Sequence, residues 1–185
     1  MASTLKNQFL VAMPGLEDEN FRQTVSLLCE HNDSGAIGLV INRPTDLTLT
    51  AMLDQMGVAH ESMDAVDHVV FWGGPVQPER GFVVHREPGG WESCMPIGNE
   101  LFITTSRDVL AAIGEGRGPK EFLVTLGYAG WGAGQLEDEI LQNSWLNTPV
   151  DRQVLFHLPA RNRWQSATRL LGLDVTQIGS GAGHA

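Results

Sequence analysis

A short apolar run followed at once by a cluster of glycines constrains this chain more than any other stretch. The run, Phe122 to Leu126, holds bulky and β-branched residues, with charge only before it. Such a segment predicts a strand that is buried on both faces. Four glycines follow within eight residues and let the backbone turn tightly and approach a neighbour closely. They are Gly127, Gly130, Gly132 and Gly134.

The residues after the glycines predict a helix from Gln135 to Asn143. Its apolar residues share one face, so Asp138 and Glu139 are predicted to point away from the protein. Glu137 falls at the edge of the apolar stripe and is therefore the helix carboxylate most in need of a partner. The strand, the glycines and this helix together form the best candidate for a functional site.

A glycine-rich turn before a helix resembles a phosphate cradle, because free N–H groups at a helix start attract anions. The spacing here is G-x-x-G-x-G-x-G, which matches neither common nucleotide-binding pattern, and no lysine follows it. Three acids in the first turn would also repel a phosphate. Tight packing of the strand against the helix is the favoured interpretation, and no cofactor is predicted.

Charge and apolar patterning limit the classes of function. Acidic residues outnumber basic ones by 22 to 12, and the net charge of −10 opposes direct binding to nucleic acid or to an anionic membrane. No apolar run approaches the roughly 20 residues that span a bilayer. The apolar stretch Phe9 to Met13 is too short for a signal-peptide core. We therefore expect a cytoplasmic protein, with Cys29 and Cys94 as thiols.

Residue patterns predict the other strands and helices. Thr24 to His31 and Ala36 to Asn42 flank a turn cluster, Asn32 to Gly35, and predict an antiparallel hairpin. Apolar residues at helical spacing predict a helix that Thr48 caps and Gly57 ends. Further predicted strands are Phe9 to Met13, His68 to Trp72, Gly81 to Arg86, Leu101 to Thr104 and Gln153 to Leu158, and further helices follow Ser106 and Pro159.

Two segments predict irregular backbone. Ala59 to Asp67 is acidic and weakly periodic, and Gly73 to Pro78 contains two glycines and two prolines, which interrupt both helix and sheet. The order of the elements shows hairpins first, isolated helices later and no regular βαβ alternation. It predicts an α+β fold with a mixed sheet. We expect one domain over residues 8–173 and a flexible tail over 174–185.

Cys29 and His31 are the first candidates for catalysis. In a strand they would project from one face, which allows a thiol–imidazole pair. Glu30 would face the other way and could not orient the imidazole. A core cysteine beside a histidine at the strand end is the favoured interpretation. No zinc-type spacing of His and Cys occurs, so no metal is predicted.

Arg43 and Arg80 each stand beside a residue that breaks regular structure. Their guanidinium groups could pair with a carboxylate of a ligand or of the protein itself. An internal ion pair with Glu30 or Glu137 is the favoured interpretation. We also test the hypothesis that Arg43, Arg80, Trp131 and Glu137 converge on one cleft.

Four segments in order resemble the bacterial YqgE/AlgH family over about residues 8–173. They are 9–44, 73–85, 103–110 and 127–146, including GGPVQPERGFVVH and GYAGWGAGQLEDEILQNSWL. The resemblance implies a single compact α+β unit with a bifurcated, barrel-like curled sheet flanked by helices. Members are labelled transcriptional regulators by association with alginate regulation, and the family has no established catalytic residues to transfer.

The matched positions supply the candidate ligand-binding residues. These are Asn42, Arg43, Gly73, Gly74, Arg80, Trp131, Gln135 and Glu137. We expect a non-enzymatic module that binds an unidentified small molecule or protein, with a regulatory role. One alternative is a transcriptional regulator that acts through a partner. Another is an enzyme that uses Cys29 with His31 or Arg80 with Glu137.

Overall fold

The computed structural model of the protein describes residues 4–63 and 68–173. The predicted tail, 174–185, and the end of the predicted loop 59–67 lie outside these residues. Within them, strands form a 10-stranded sheet in the order β10-β1-β2-β3-β9-β6-β8-β7, with β4 and β5 branching from β9. The strands are β1 Gln8–Ala12, β2 Val25–Asn32, β3 Gly35–Val40, β4 Pro44–Thr48, β5 Val69–Trp72, β6 Val76–His85, β7 Cys94–Pro96, β8 Phe102–Thr104, β9 Phe122–Gly132 and β10 Trp145–Pro149.

Helices pack around this sheet. They are α1 Leu49–Gln55, α2 Arg107–Gly114, α3 Gln135–Leu141 and α4 Ala160–Leu170. The predicted cap of α1 is confirmed, because Thr48 Oγ1 accepts a hydrogen bond from the Ala51 N–H at 3.2 Å. Gly57 follows α1 with a φ of 71°, as predicted. No helix in the described part of the chain has the length and apolar character needed to span a bilayer.

The central strand β9 is where the sheet divides. Its first half pairs in parallel with β5 at Thr125 and Leu126, and its second half pairs antiparallel with β3 at Ala129 to Gly132. Antiparallel β6 pairs along most of its other side. The predicted α+β fold with a mixed, bifurcated and curled sheet is therefore confirmed.

The glycine-rich stretch differs from its prediction. Instead of turning after Leu126, the strand continues to Gly132, with Gly130 opposite Ile37 and Gly132 opposite Gly35. Gly134 forms the predicted turn, with a φ of 75° that favours glycine. Gly127 also has a positive φ, 80°, and a Cβ there would lie 2.3 Å from the Gly74 carbonyl oxygen. Gly130 and Gly132 stay in the strand where β3 lies alongside it, so the expected turn is confined to Gly134.

Two other predictions are wrong. Gln153–His157 is a π-helical turn rather than a strand. Adjacent Val154 and Leu155 are both buried there, whereas a strand with one solvent-facing side would expose one of them. The predicted loop 73–78 is strand from Val76 onward. Its pairing is interrupted between Val76 and Gly81, so Pro78 occupies a part of the strand that needs no ladder hydrogen bond.

Successive residues of β1 are buried on opposite faces of the sheet. Phe9 and Val11 belong to one apolar cluster, and Leu10 and Ala12 belong to another. The second cluster also includes residues of α3 and Phe21 from the loop between β1 and β2. This loop therefore covers one face of the sheet.

Candidate functional site

Phe21 anchors the loop over residues 13–24 on a group of three tryptophans. Its ring lies 6.4 Å from Trp72, 6.2 Å from Trp131 and 5.7 Å from Trp145, measured between ring centroids. We call Trp72, Trp131 and Trp145 the aromatic seat. Aromatic pairs in such tilted and edge-on geometries stabilise contacts beyond simple burial. The loop is thus held in one position.

Glu139 of α3 links two members of the aromatic seat. Its Oε1 accepts hydrogen bonds from Trp131 Nε1 at 3.2 Å and Trp145 Nε1 at 3.0 Å. Its Oε2 accepts from Gln135 Nε2 at 2.8 Å, and Gln135 Oε1 accepts from the Gly132 N–H. The prediction that Glu139 points away from the protein is therefore wrong, because two indole N–H groups at the seat need an acceptor.

Asn42 and Arg43 hold the same loop from the end of β3. Asn42 accepts from the Val25 N–H and donates to the Gln23 carbonyl, both at 2.9 Å. The Arg43 guanidinium donates to the carbonyls of Glu19 and Arg22 and lies over the Trp72 ring, 5.7 Å from its centroid. The two side chains thus fix the backbone of the loop.

Glu137 accepts a hydrogen bond from a histidine and does not pair with an arginine of the described chain. His31 Nδ1 accepts the Leu5 N–H at 2.9 Å, so Nε2 carries the proton and donates to Glu137 Oε1 at 2.8 Å. Both ring nitrogens of His31 are therefore occupied. The favoured ion pair of Glu137 with an arginine is not formed.

The Cys29–His31 dyad does not form either. A β-bulge lies between Leu28 and Glu30, and Cys29 Sγ contacts the Leu27 carbonyl at 3.5 Å. Cys29 is half-buried, and this burial raises the pKa of its thiol above the ordinary value, with Glu30 adding to the effect. A thiol of this kind is a poor nucleophile, and His31 has no free nitrogen to take its proton.

Gly73 and Gly74 lie where β9 passes the end of β5. Gly73 donates its N–H to the Leu126 carbonyl and accepts from the Val40 N–H. A Cβ atom at Gly74 would lie 2.1 Å from the Tyr128 carbonyl carbon. These glycines permit a close contact between two backbone segments. This contact is sufficient reason for glycine at both positions, with no ligand needed.

Arg80 lines a cavity of about 470 Å³, which we call the Arg80 cavity. The β2–β3 hairpin forms one wall, and β6, β7 and β8 form the other. Its apolar surface includes Ile37, Phe82, Met95, Ile97 and Ile103, and its polar groups include Glu30, Glu92, Ser93, Thr105 and Tyr128. The volume suits a small ligand or a few residues of a peptide.

The Arg80 side chain stacks on the cavity wall without an acidic partner. Its guanidinium lies 5.2 Å from the centroid of Phe82 and makes a long 3.5 Å contact with Gln77 Oε1. No ion pair involves Arg80 among residues 4–63 and 68–173. The favoured internal pair with Glu30 or Glu137 is thus absent. A guanidinium in this position can still bind a carboxylate or another oxyanion.

The predicted site residues separate into four groups. The first group supports the loop over residues 13–24. It contains Asn42, Arg43 and Trp131, which contact the loop directly, and Gln135, which acts through Glu139. Gly73 and Gly74 support the strand crossing. Arg80 lines the cavity and Glu137 binds His31, so the four residues expected in one cleft contact different partners.

Sequence reasoning missed Phe21 and the acceptor role of Glu139. A lone aromatic residue inside the acidic segment LEDENFR was the available signal, since aromatic residues rarely stand in solvated loops without a contact. Within the described residues, no three His, Cys, Asp or Glu side chains are arranged to hold a metal ion.

A second charged cluster, absent from the sequence predictions, surrounds Glu121. Its carboxylate accepts from Arg152 Nε at 2.9 Å and from His157 Nε2 at 2.6 Å, and it contacts Arg86 at 3.3 Å. The hydrogen bonds from Arg152, joined by those from His157 and Arg86, lower the pKa of Glu121 from 4.5 to about 2. The cluster ties the start of β9 to the π-helical turn.

Glu121→Gln is expected to destabilise the protein at pH 7 and to lose most of this effect as the pH falls to 2. A carboxylate with a lowered pKa stabilises the fold above its unfolded pKa of 4.5, and this contribution is lost as the pH falls towards 2. Since Arg152 and His157 are half exposed, we expect a loss of only about 1–2 kcal/mol. Urea unfolding across this pH range measures it.

Glu115→Gln is the matched control, because the only ion pair of Glu115 among the described residues is with the exposed Arg117. It should change the free energy of unfolding by less than about 0.5 kcal/mol. A deficit in Glu121→Gln that persists unchanged at pH 2 would show that the effect is not electrostatic.

Comparison with known proteins gives one consistent result. A profile of a family described as AlgH-like matches residues 9–176. A UPF0301 protein of Thioalkalivibrio sulfidiphilus is 54% identical over 184 residues, which cover 100% of this chain and 98% of that protein. A UPF0301 protein of Methylococcus capsulatus is 49% identical over 183 residues, covering 99% of this chain and 97% of that protein.

Two solved structures share the fold. The solution structure of AlgH from Pseudomonas aeruginosa has a TM-score of 0.79 and 45% identity, covering 100% of this chain and 98% of that chain. A crystal structure of the protein DIP2367 from Corynebacterium diphtheriae has a TM-score of 0.71 and 20% identity, covering 91% of this chain and 87% of that one. The second likeness concerns the fold alone.

Proposed function

The chain belongs to the AlgH-like family, and we propose that it is a binding module that takes a small amphipathic ligand in the Arg80 cavity. The observation that carries this proposal is a guanidinium without an acidic partner beside an apolar cavity of about 470 Å³. In a chain with 22 acids and 12 bases, an arginine without an ion pair is available to a ligand.

Exposed apolar side chains at the cavity support binding over a purely structural role. Met95 is 58% exposed and Ile37 is 36% exposed, and both line the cavity. They stand on opposite walls, one on the β2–β3 hairpin and the other on the edge strand β7. A ligand between them would remove apolar surface from water on both sides.

The charges around the cavity indicate the class of ligand. Arg80 offers one positive group, and Glu30 and Glu92 offer negative ones. A ligand with an apolar body, one negative group and one positive group complements this arrangement, and a short apolar peptide with free termini is an example. The net charge of −10 opposes direct contact with DNA. Any regulatory role would therefore act through the binding of a ligand or a protein partner.

Arg80→Ala is expected to weaken ligand binding at least about tenfold, because the charged hydrogen bond to the ligand carboxylate is lost. The test is a thermal-shift screen of metabolites and short apolar peptides, followed by calorimetry on each compound that stabilises the protein. A ligand at about 100 times its Kd should add about 2.7 kcal/mol to the stability of the native state.

Arg117→Ala is the matched control, since Arg117 is exposed and, within residues 4–63 and 68–173, forms an ion pair with Glu115 alone. It should bind the same compounds as the unaltered protein. The proposal fails if no compound stabilises the unaltered protein, or if both arginine variants bind every hit equally well.

A further inference from the structure

A groove away from the Arg80 cavity gathers positive charge on an acidic protein. It has a volume of about 550 Å³ and lies between β5, the start of β9 and the start of α4. Lys120, His157 and Arg163 line it, and Glu121 is the one acidic side chain that lines it among residues 4–63 and 68–173. Its walls include Phe71, Phe122 and Phe156. We call it the Lys120 groove.

Arg163 is a buried cation that has no acidic partner in the described part of the chain. Its side chain is 5% exposed, and its guanidinium lies 4.8 Å from the centroid of the Phe71 ring. Nε donates to the Leu158 carbonyl at 3.0 Å and Nη1 donates to the Ile41 carbonyl. Nη2 makes no hydrogen bond to the described residues, and it is not among their fully buried atoms without a partner. The Nη2 edge of the guanidinium therefore remains available at the groove.

The charge of Arg163 is costly where it stands. Burial alone lowers its pKa to about 10, with no acidic side chain acting against the shift. The group still carries its proton at neutral pH. A buried charge is normally paired with an opposite charge, whereas within the described structure the guanidinium of Arg163 contacts only carbonyl groups and an aromatic ring.

The groove adjoins a second charged cavity of about 570 Å³, with which it shares Lys120, Glu121 and His157. Glu87 and Glu100 also line that cavity, and its two arginines, Arg86 and Arg152, are paired with Glu100 and Glu121. Among the described lining residues, Lys120 and Arg163 are therefore the two cations that remain for a ligand. Lys120 forms no ion pair with the described residues.

We propose that the Lys120 groove binds a small oxyanion carried on an aromatic or other apolar body. Lys120 and the Nη2 edge of Arg163 hold the oxyanion, and the phenylalanines contact the apolar body. The oxyanion completes the pairing of the buried guanidinium. The aromatic walls favour an organic phosphate or carboxylate over an inorganic ion, because the ligand then also buries apolar surface.

The test is calorimetric titration at low salt with phenyl phosphate and benzoate, with inorganic phosphate and phenol as comparisons. We expect saturable binding of phenyl phosphate, benzoate or both, and at least about fivefold weaker binding of inorganic phosphate and phenol. The tighter of the two organic anions identifies the headgroup as phosphate or carboxylate. Chemical shift changes at Phe122 and Phe156 locate the ligand.

Lys120→Gln should weaken binding about fivefold or more, because one of the two cations is lost. Lys6→Gln is the matched control, as Lys6 is the chain's other lysine and is exposed outside the groove. Arg163→Lys keeps the charge but not the fork of donors, and should also weaken binding if the variant remains folded by circular dichroism. Absence of saturable binding by either organic anion, or equal binding in the two lysine variants, overturns the proposal.

Discussion

Gly74→Ala is expected to destabilise the protein by about 3 kcal/mol, because the new methyl group would meet backbone. The added Cβ would lie 2.1 Å from the Tyr128 carbonyl carbon and 2.2 Å from its oxygen, in the central strand. Neither atom can move without breaking the pairing of β9. Gly74 also has a φ of 155°, which side-chain-bearing residues seldom adopt. Urea unfolding followed by circular dichroism measures the loss.

Gly90→Ala separates this clash from a general effect of replacing glycine. Gly90 lies in an exposed loop, and a Cβ there would meet no heavy atom within 4 Å. Its substitution should change stability by less than about 0.5 kcal/mol. If Gly74→Ala were as stable as the Gly90 variant but lost ligand binding, that result would support the prediction that Gly74 contacts a ligand.

Trp131→Ala is expected to cost about 4 kcal/mol and to release the loop over residues 13–24. Trp131 is 6% exposed and contacts Phe21, Trp145 and Glu139. Its removal leaves a large cavity below Phe21 and removes one of the two indole donors to Glu139. The loop should then open more often, so trypsin should cleave after the exposed Arg22 faster than in the unaltered protein.

Leu141→Ala serves as the control for Trp131→Ala, because Leu141 is on the same helix as Glu139 and is 81% exposed. It should alter neither stability nor cleavage after Arg22. A stable Trp131→Ala protein with an intact loop and weakened ligand binding would instead support the role of Trp131 as a ligand contact.

The fold was predictable where one residue pattern determined one structure. The hairpin of β2 and β3 follows from alternation around a turn cluster, and the cap at Thr48 follows from a polar residue before helical spacing. The curled, bifurcated sheet came from the family resemblance. The π-helical turn at Gln153–His157 was not predictable, since a short apolar run suits a strand and a buried turn equally well.

The extent of β9 could not be read from its own residues. Glycines normally interrupt a strand, but Gly130 and Gly132 lie opposite β3 and remain in the ladder. Their conformation depends on a partner that is more than ninety residues away in the chain. The short strand β7, with only three residues, likewise depends on its pairing with β8.

The candidate site was only partly predictable for the same reason. Arg80 was singled out because it stands beside a strand breaker, and the structure places it at a cavity. Arg43 has a similar local sequence, yet its guanidinium is used by the backbone of another loop. Local sequence identifies an arginine at a strand end, but only tertiary contacts determine whether its donors are occupied.

The most direct measurement of the proposed binding function is NMR of the protein with labelled isoleucine and methionine methyl groups. Short apolar peptides with free termini, and the hits of the thermal-shift screen, are titrated into it. We predict saturable shifts at Ile37, Met95 and Ile103, which line the Arg80 cavity, and much smaller shifts at Met52 and Ile113, which lie in a separate cluster. Shifts at the second group alone, or no saturable shift at all, would contradict the proposal.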